Sequence, residues 1–232
     1  MSRRACLLLI TGLALSCTKI TLLQNSLNGN TPEVQVVHSE LVTTVLKVLG
    51  QSHRSGSLVF RGQCTNAGGM SDSFKVASPG QNVNPIQSLH AAFLNDSTLA
   101  LKEDSSGMIR VVGGAIRPEL LNITVHNLRL EEGNDPRAAT YKVLAAPEVK
   151  AYMQSHDIQF VTTSGGLIPP PSGRHLSDRL TDVTVSESLD RIAQIFPGVW
   201  LYEECVTGQG KKRLEVSFHE FPATYQTGKP SS

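Results

Sequence analysis

Thr184-Val185-Ser186-Glu187-Ser188-Leu189-Asp190-Arg191-Ile192-Ala193-Gln194-Ile195-Phe196-Pro197-Gly198-Val199-Trp200-Leu201-Tyr202 is the stretch that decides the fold. Thr184 is a helix N-cap residue. Glu187, three positions on, completes a capping box, so two backbone N–H groups that a helix start leaves open are satisfied reciprocally. Leu189, Ile192, Ala193 and Phe196 recur at the spacing of one helical face. Glu187, Asp190, Arg191 and Gln194 fall on the opposite face, which reads as solvent-facing. Pro197-Gly198 ends the helix. Residues 199–202 then read as a strand, Gly208-Gln209-Gly210 as a turn and residues 214–218 as the returning strand, with the alternation of a half-buried antiparallel sheet.

Working outward, the same plan recurs. Asn84 caps a second helix with Pro85 at its first position and Ile86, Leu89, Ala92 and Phe93 on its apolar face. Leu99-Ala100-Leu101 and residues 108–112 flank the turn Ser105-Ser106-Gly107. Ser88-Leu89 and Leu101 sit 100 positions before Ser188-Leu189 and Leu201. A third copy starts with a strand at 34–37. Ser39 is its expected cap, Leu41, Val42, Val45, Leu46 and Leu49 its face, Gly50 its stop, and residues 57–60 its following strand. Phe74-Lys75-Val76, Ile123-Thr124-Val125 and residues 158–161 read as further strands, and residues 147–156 as a helix. The expected fold class is therefore α+β, with repeated small helix-plus-β-hairpin units whose helices pack on one face of mainly antiparallel sheets.

The N-terminus carries an address. Arg3-Arg4, the apolar run 5–15 and Ala14-Leu15-Ser16 before Cys17 resemble a secretory signal peptide. Two readings stand. One is a plain cleaved signal. The other is a bacterial lipoprotein signal, in which Cys17 is acylated and becomes the new N-terminus; here Ala14 and Leu15 stand in the reverse of the usual lipobox order. The run is shorter than the roughly 20 apolar residues that span a bilayer. The expected division is a signal peptide at 1–16, a tether at 17–33, an N-terminal α+β domain at 34–163, a Gly/Pro linker at 164–179, a helix-hairpin module at 180–222 and a disordered tail at 223–232.

Lys and Arg number 21 against 20 Asp and Glu, a formal net charge of +1. No basic surplus is left to neutralise phosphates, so nucleic acid is not an expected partner. Cys6 and Cys17 lie in or at the end of the signal, which leaves Cys64 and Cys205. In an oxidising compartment two such cysteines pair, and a Cys64–Cys205 disulfide is expected.

Val183-Thr184-Val185-Ser186-Glu187-Ser188-Leu189-Asp190-Arg191-Ile192-Ala193, with the strands after it to Phe218, resembles the short N-terminal domain shared by secretins and TonB-dependent receptors; residues 84–112 match that rhythm more loosely. The resemblance implies a periplasmic interaction module near envelope machinery, accessory because the later barrel segments of either family are lacking.

Chemical signatures are absent from the sequence. His38, His53, His90, His126, His156, His175 and His219 make no H-x-x-x-H or H-E-x-x-H pair, and there is no G-x-S-x-G elbow. Glu203 and Glu204 are adjacent on a strand and point to opposite faces. No catalytic residue, cofactor or metal is expected. The expected function is that of an exported envelope protein, in the periplasm, anchored to the outer membrane by lipid or otherwise secreted, which binds envelope proteins without catalysis. The alternative is an exported hydrolase whose site is assembled from dispersed residues.

Overall fold

Side-chain caps and left-handed turns set where this chain changes direction. Asn84 accepts hydrogen bonds from the N–H groups of Ile86 and Gln87 and opens α2 (Pro85–Ala92), with Pro85 in its first turn. Asp135 does the same for α3 (Pro136–Leu144) through Arg137 N–H. Thr184 and Glu187 form the capping box of α5 (Val185–Ile195): Glu187 N–H donates to Thr184 Oγ1 at 3.1 Å, and Thr184 N–H donates to Glu187 Oε2 at 2.7 Å. α1 (His38–Gln51) differs from expectation at both ends. Ser39 lies inside it rather than capping it, and Gly50 is its penultimate residue. The reversal comes at His53, with φ of 53°, after which Arg54 N–H donates back to Leu49 O. α4 (Pro147–Ser155) follows α3, and a 3-10 helix lies at Glu119–Asn122.

The computed structural model describes residues 35–36, 38–64, 74–75, 84–93, 98–113, 118–133, 135–161 and 176–221. Cys17, the signal at 1–16, the tether at 17–33, His175, most of the 164–179 linker and the tail at 223–232 lie outside them.

Six strands form the central sheet: β2 (Gly56–Gln63), β4 (Leu99–Glu103), β5 (Ile109–Gly113), β8 (Ile158–Phe160), β11 (Gly198–Val206) and β12 (Lys212–Glu220). Their order is β4-β5-β2-β11-β12-β8. β4–β5 and β11–β12 are antiparallel hairpins, and β2 lies between them, parallel to both β5 and β11. β8 joins β12 in parallel. Three small antiparallel pairs complete the described strands: β1 (Gln35–Val36) with β3 (Phe74–Lys75), β6 (Thr124–Val125) with β10 (Val183–Thr184), and β7 (Leu128–Gly133) with β9 (Leu176–Leu180). The fold is thus α+β with mainly antiparallel pairing, and the central sheet is mixed.

Helices cover both faces of that sheet rather than one. Leu41, Val45 and Leu49 of α1 and Leu89 and Ala92 of α2 bury against Leu58, Phe60, Ile109, Val111, Val199 and Leu201. On the other face Val143 of α3, Val149 of α4 and Leu189, Ile192 and Ala193 of α5 bury against Val59, Trp200, Tyr202, Leu214, Val216 and Phe218. Odd and even residues of β11 go to different cores, as the two-residue strand period requires. Strand pairing runs across the expected parts of the chain. β11 pairs with β2 and β12 with β8, so residues 180–222 complete the sheet begun in 34–163, and 176–179 of the expected linker lie in β9.

The 84–113 and 184–220 stretches share local wiring. Ser88 Oγ donates to Asn84 O at 3.1 Å and Ser188 Oγ to Thr184 O at 2.9 Å. Both hairpin turns place a glycine at positive φ, Gly107 at 80° and Gly210 at 78°, where a side chain would be strained. Their placement differs: α2 packs on one face of the sheet and α5 on the other.

Cys64 and Cys205 are joined, with Cα atoms 5.0 Å apart and a sequence separation of 141. The bond fastens β2 to β11 at one end of their ladder. By loop entropy it contributes about 5 kcal/mol relative to the reduced chain.

Leu189 is fully buried whereas Arg191 is exposed. In denaturant melts Leu189→Ala is expected to cost about 2–5 kcal/mol and Arg191→Ala less than about 0.5 kcal/mol. Equal small losses would mean that α5 is not packed on this sheet.

Candidate functional site

The β4–β5 hairpin forms one margin of the central sheet. Its turn fixes which backbone groups face outward. Asp104 N–H donates to Met108 O at 3.0 Å and Gly107 N–H to Asp104 O at 3.0 Å. Backbone groups alternate along a strand, so those of Ala100 and Lys102 point into β5 and those of Leu99, Leu101 and Glu103 point away from the sheet. Among the described residues no strand pairs with that outer side. Leu99 is buried, Leu101 half-buried, and Ala100, Lys102 and Glu103 exposed. The result is a free edge with an apolar start and a charged end.

A partly buried ionic network, with Asp190 at its buried end, holds this edge in place. Asp190 reaches from α5 to the sheet and accepts two hydrogen bonds from the Arg110 guanidinium on β5, that from Nη1 at 3.3 Å, and one from Trp200 Nε1 on β11 at 2.9 Å. Arg110 Nη2 also donates to Asp104 Oδ2 at 2.9 Å. Asp104 in turn accepts from the backbone N–H and hydroxyl of Ser106 and from Met108 N–H, which shapes the turn. Arg54 clamps the turn from outside, donating to Gly107 O and pairing with Glu103 at 3.3 Å.

Asp190 therefore corrects the expectation that it faces solvent. It is 8% exposed, because the indole and guanidinium beneath α5 need an acceptor at that point. Burial pushes its carboxyl above the ordinary value, against the pull of Arg110 and Trp200. Burial also works against Asp104, but the Ser106 and Met108 hydrogen bonds and the Arg110 charge hold its carboxyl below the ordinary value.

Ser57 of β2 stands in register between Arg110 and Trp200. It is fully buried, and its hydroxyl has no hydrogen-bond partner. A second polar cluster lies on the same sheet face. Glu204 accepts from Tyr202 OH at 2.7 Å and pairs with Arg61 Nε at 3.2 Å, and burial and the Glu204 charge push the Tyr202 phenol strongly upward. Tyr152 OH donates to Glu119 at 2.9 Å; burial and this bond raise its phenol to about 12. Glu203 and Glu204 point to opposite faces, as the strand period predicts.

The remaining singled-out residues are dispersed. His90 is exposed on α2. His126 Nδ1 lies 2.7 Å from Asp182 Oδ1 at the surface, and this hydrogen bond raises its pKa. His156 stacks on Tyr152 with ring centroids 3.9 Å apart. His219 Nε2 is 3.0 Å from Ser217 Oγ on β12; burial and Arg137 keep its pKa below the ordinary value. Among the described residues no three His, Cys, Asp or Glu side chains group as metal ligands, and no helix is long and apolar enough to cross a membrane. Asp190 and Arg110 were invisible as a pair because 80 positions separate them. The one available signal was Trp200, a single tryptophan on a buried strand whose N–H requires an acceptor.

No family model, curated protein or solved structure matches this chain.

Three outcomes follow from this geometry. Asp190→Ala leaves Arg110 and Trp200 Nε1 without their shared acceptor and is expected to cost about 3–5 kcal/mol in urea melts, whereas Ser57→Ala removes a hydroxyl that makes no bond and is expected to be neutral or stabilising by up to about 1 kcal/mol. A loss from Ser57→Ala comparable with that from Asp190→Ala would refute the assignment. The His126 imidazole is expected to titrate above its reference value of about 6.5 by NMR and to return toward it in Asp182→Asn. Its pKa is raised on folding, so its contribution to stability is full below about pH 6.5 and is lost as pH rises through the folded value.

Proposed function

We propose that this is an exported protein of the bacterial envelope that works by binding another protein along the free edge of β4, without catalysis. The observation that carries the reading is that edge: outward N–H and C=O groups of Leu99, Leu101 and Glu103 on a strand whose position is fixed from behind by Arg110 and Asp190. A pre-positioned edge lowers the ordering cost of adding a strand, and main-chain hydrogen bonds supply affinity. Export is supported by the signal-like residues 1–17 and by the Cys64–Cys205 bond, which persists in oxidising compartments. The resemblance of residues 183–218 to the short domain of secretins and TonB-dependent receptors supports a partner in envelope machinery. A lipid on Cys17 is part of the same reading, with intact mass of membrane-extracted protein as its test.

A second reading, an exported hydrolase, draws on Ser217 and His219. Their side chains are within hydrogen-bond reach, and burial and the Arg137 charge hold the imidazole below its ordinary pKa, which favours the neutral form that a general base needs. Labelling of Ser217 by a fluorophosphonate would favour it.

The test of the binding reading is a photo-crosslinking residue placed at Lys102 in cells, with one at Arg191 as control. A specific adduct with an envelope protein is expected at 102 only. Glu103→Pro, which removes an outward N–H while leaving the β4–β5 bonds intact, is expected to abolish it without lowering the melting temperature by more than a few degrees. Equal adducts at both positions, or an adduct indifferent to Glu103→Pro, would overturn the edge as the binding site.

A further inference from the structure

The side chains along β4 specify what the edge accepts. This inference rests on the binding reading above and narrows it. Strand alternation sends Leu99 and Leu101 toward the α1–α2 layer, where Leu101 and Ile86 are half-buried at the border of that core. It sends Ala100 and Lys102 to the opposite face, beside Arg110. The charges on that face are not equivalent. Arg110 is occupied by Asp104 and Asp190, and on the other side Arg54 is paired with Glu103. Lys102 is exposed and has no ion-pair partner among the described residues. Because Lys102 directs its backbone groups into β5, a residue opposite it on an added strand would occupy a non-hydrogen-bonded position, where Cα atoms approach to about 4.5 Å and side chains meet most closely.

We propose that β4 takes as a seventh strand an extended segment of a partner protein, antiparallel, with an acidic residue opposite Lys102, an apolar residue opposite Leu101 and a second apolar residue opposite Leu99. Read from the N-terminus of the incoming segment, the pattern is acidic, apolar, any, apolar. The carboxylate supplies the charge that Lys102 lacks. The apolar residues extend the core that ends at Leu101 and Ile86. A second copy of β4 does not fit this pattern: centred on Leu101, it would set Ala100, not an acid, opposite Lys102.

The experiment uses the oxidised protein and two synthetic peptides that differ at one position, Ser-Asp-Val-Thr-Val-Ser and Ser-Lys-Val-Thr-Val-Ser, followed by amide NMR. The Asp peptide is expected to shift the Leu99, Leu101 and Glu103 amides and to bind about two- to fivefold more tightly than the Lys peptide at low salt, the range of one cross-strand charge pair. Lys102→Glu is expected to reverse that order, which a merely destabilised protein would not do. Equal binding of both peptides, an unchanged order in Lys102→Glu, or shifts confined to other strands would overturn the proposal. Sedimentation as a dimer that Glu103→Pro dissociates would also overturn it. If the crosslink at Lys102 still captures a partner when the peptide order fails, the edge stands and the sequence preference falls; if both fail, the binding reading falls as well.

Discussion

The carboxylate of Asp190 is the constraint on which the arrangement of this sheet depends. It descends from α5 onto the sheet and is bonded by a guanidinium from β5 and an indole from β11, strands that flank β2 on either side. Three elements, with 80 positions between Arg110 and Asp190 and a further 10 to Trp200, are thereby fixed relative to one another. A buried ion pair is weak evidence for net stability, since taking the charges out of water costs several kcal/mol per ion. What it supplies is register. Apolar burial is non-directional, so the Leu189, Ile192 and Ala193 stripe does not by itself fix the position of α5 along the sheet. Moving Asp190 by one turn would strand both an arginine and a tryptophan N–H.

The two ends of α5 repeat this logic through hydrogen bonds to backbone groups. The Thr184–Glu187 box fixes its start, and Ser55 Oγ donates to Ala193 O at 2.7 Å near its end, tying the helix to the start of β2. β2 is thus held on one face through Ser55 and within the sheet by β5 and β11. The disulfide lies at the far end of the β2–β11 ladder, beside the Arg61–Glu204 ion pair that links the same two strands. Ionic and hydroxyl ties at one end and a covalent tie at the other bracket the same pair of parallel strands.

Local grammar was legible in the sequence and placement was not. The caps at Asn84 and Thr184, the two glycine turns and the Leu189–Ile192 stripe each depend on residues within a few positions, and each is found. Which strands neighbour one another depends on pairings between 2 and 11 in the strand order, which no local spacing encodes. The wrongly assigned face of Asp190 shows the limit most clearly. On a helical projection it borders the apolar stripe, and only the presence of Arg110 and Trp200 beneath decides that it turns inward. Short strands such as β7 and β9, and the α3 helix, were missed for the related reason that their apolar residues are few and acquire meaning only when packed.

The network also decides the character of the edge it supports. Arg110 lies directly across the ladder from Lys102, and a free guanidinium there would present a two-cation edge attractive to any anion. Because Asp104 and Asp190 both draw on Arg110, its single charge is more than offset within the fold, and Glu103 is paired with Arg54 at the far end of β4. Among the described residues of the hairpin one exposed ammonium remains, that of Lys102. A charge next to an apolar position favours one register, since shifting a strand by one residue moves its side chains to the other face. The buried carboxylate that orders the core thus also offsets the guanidinium beside the edge, which leaves Lys102 as the cation there without a direct ion-pair partner among the described residues.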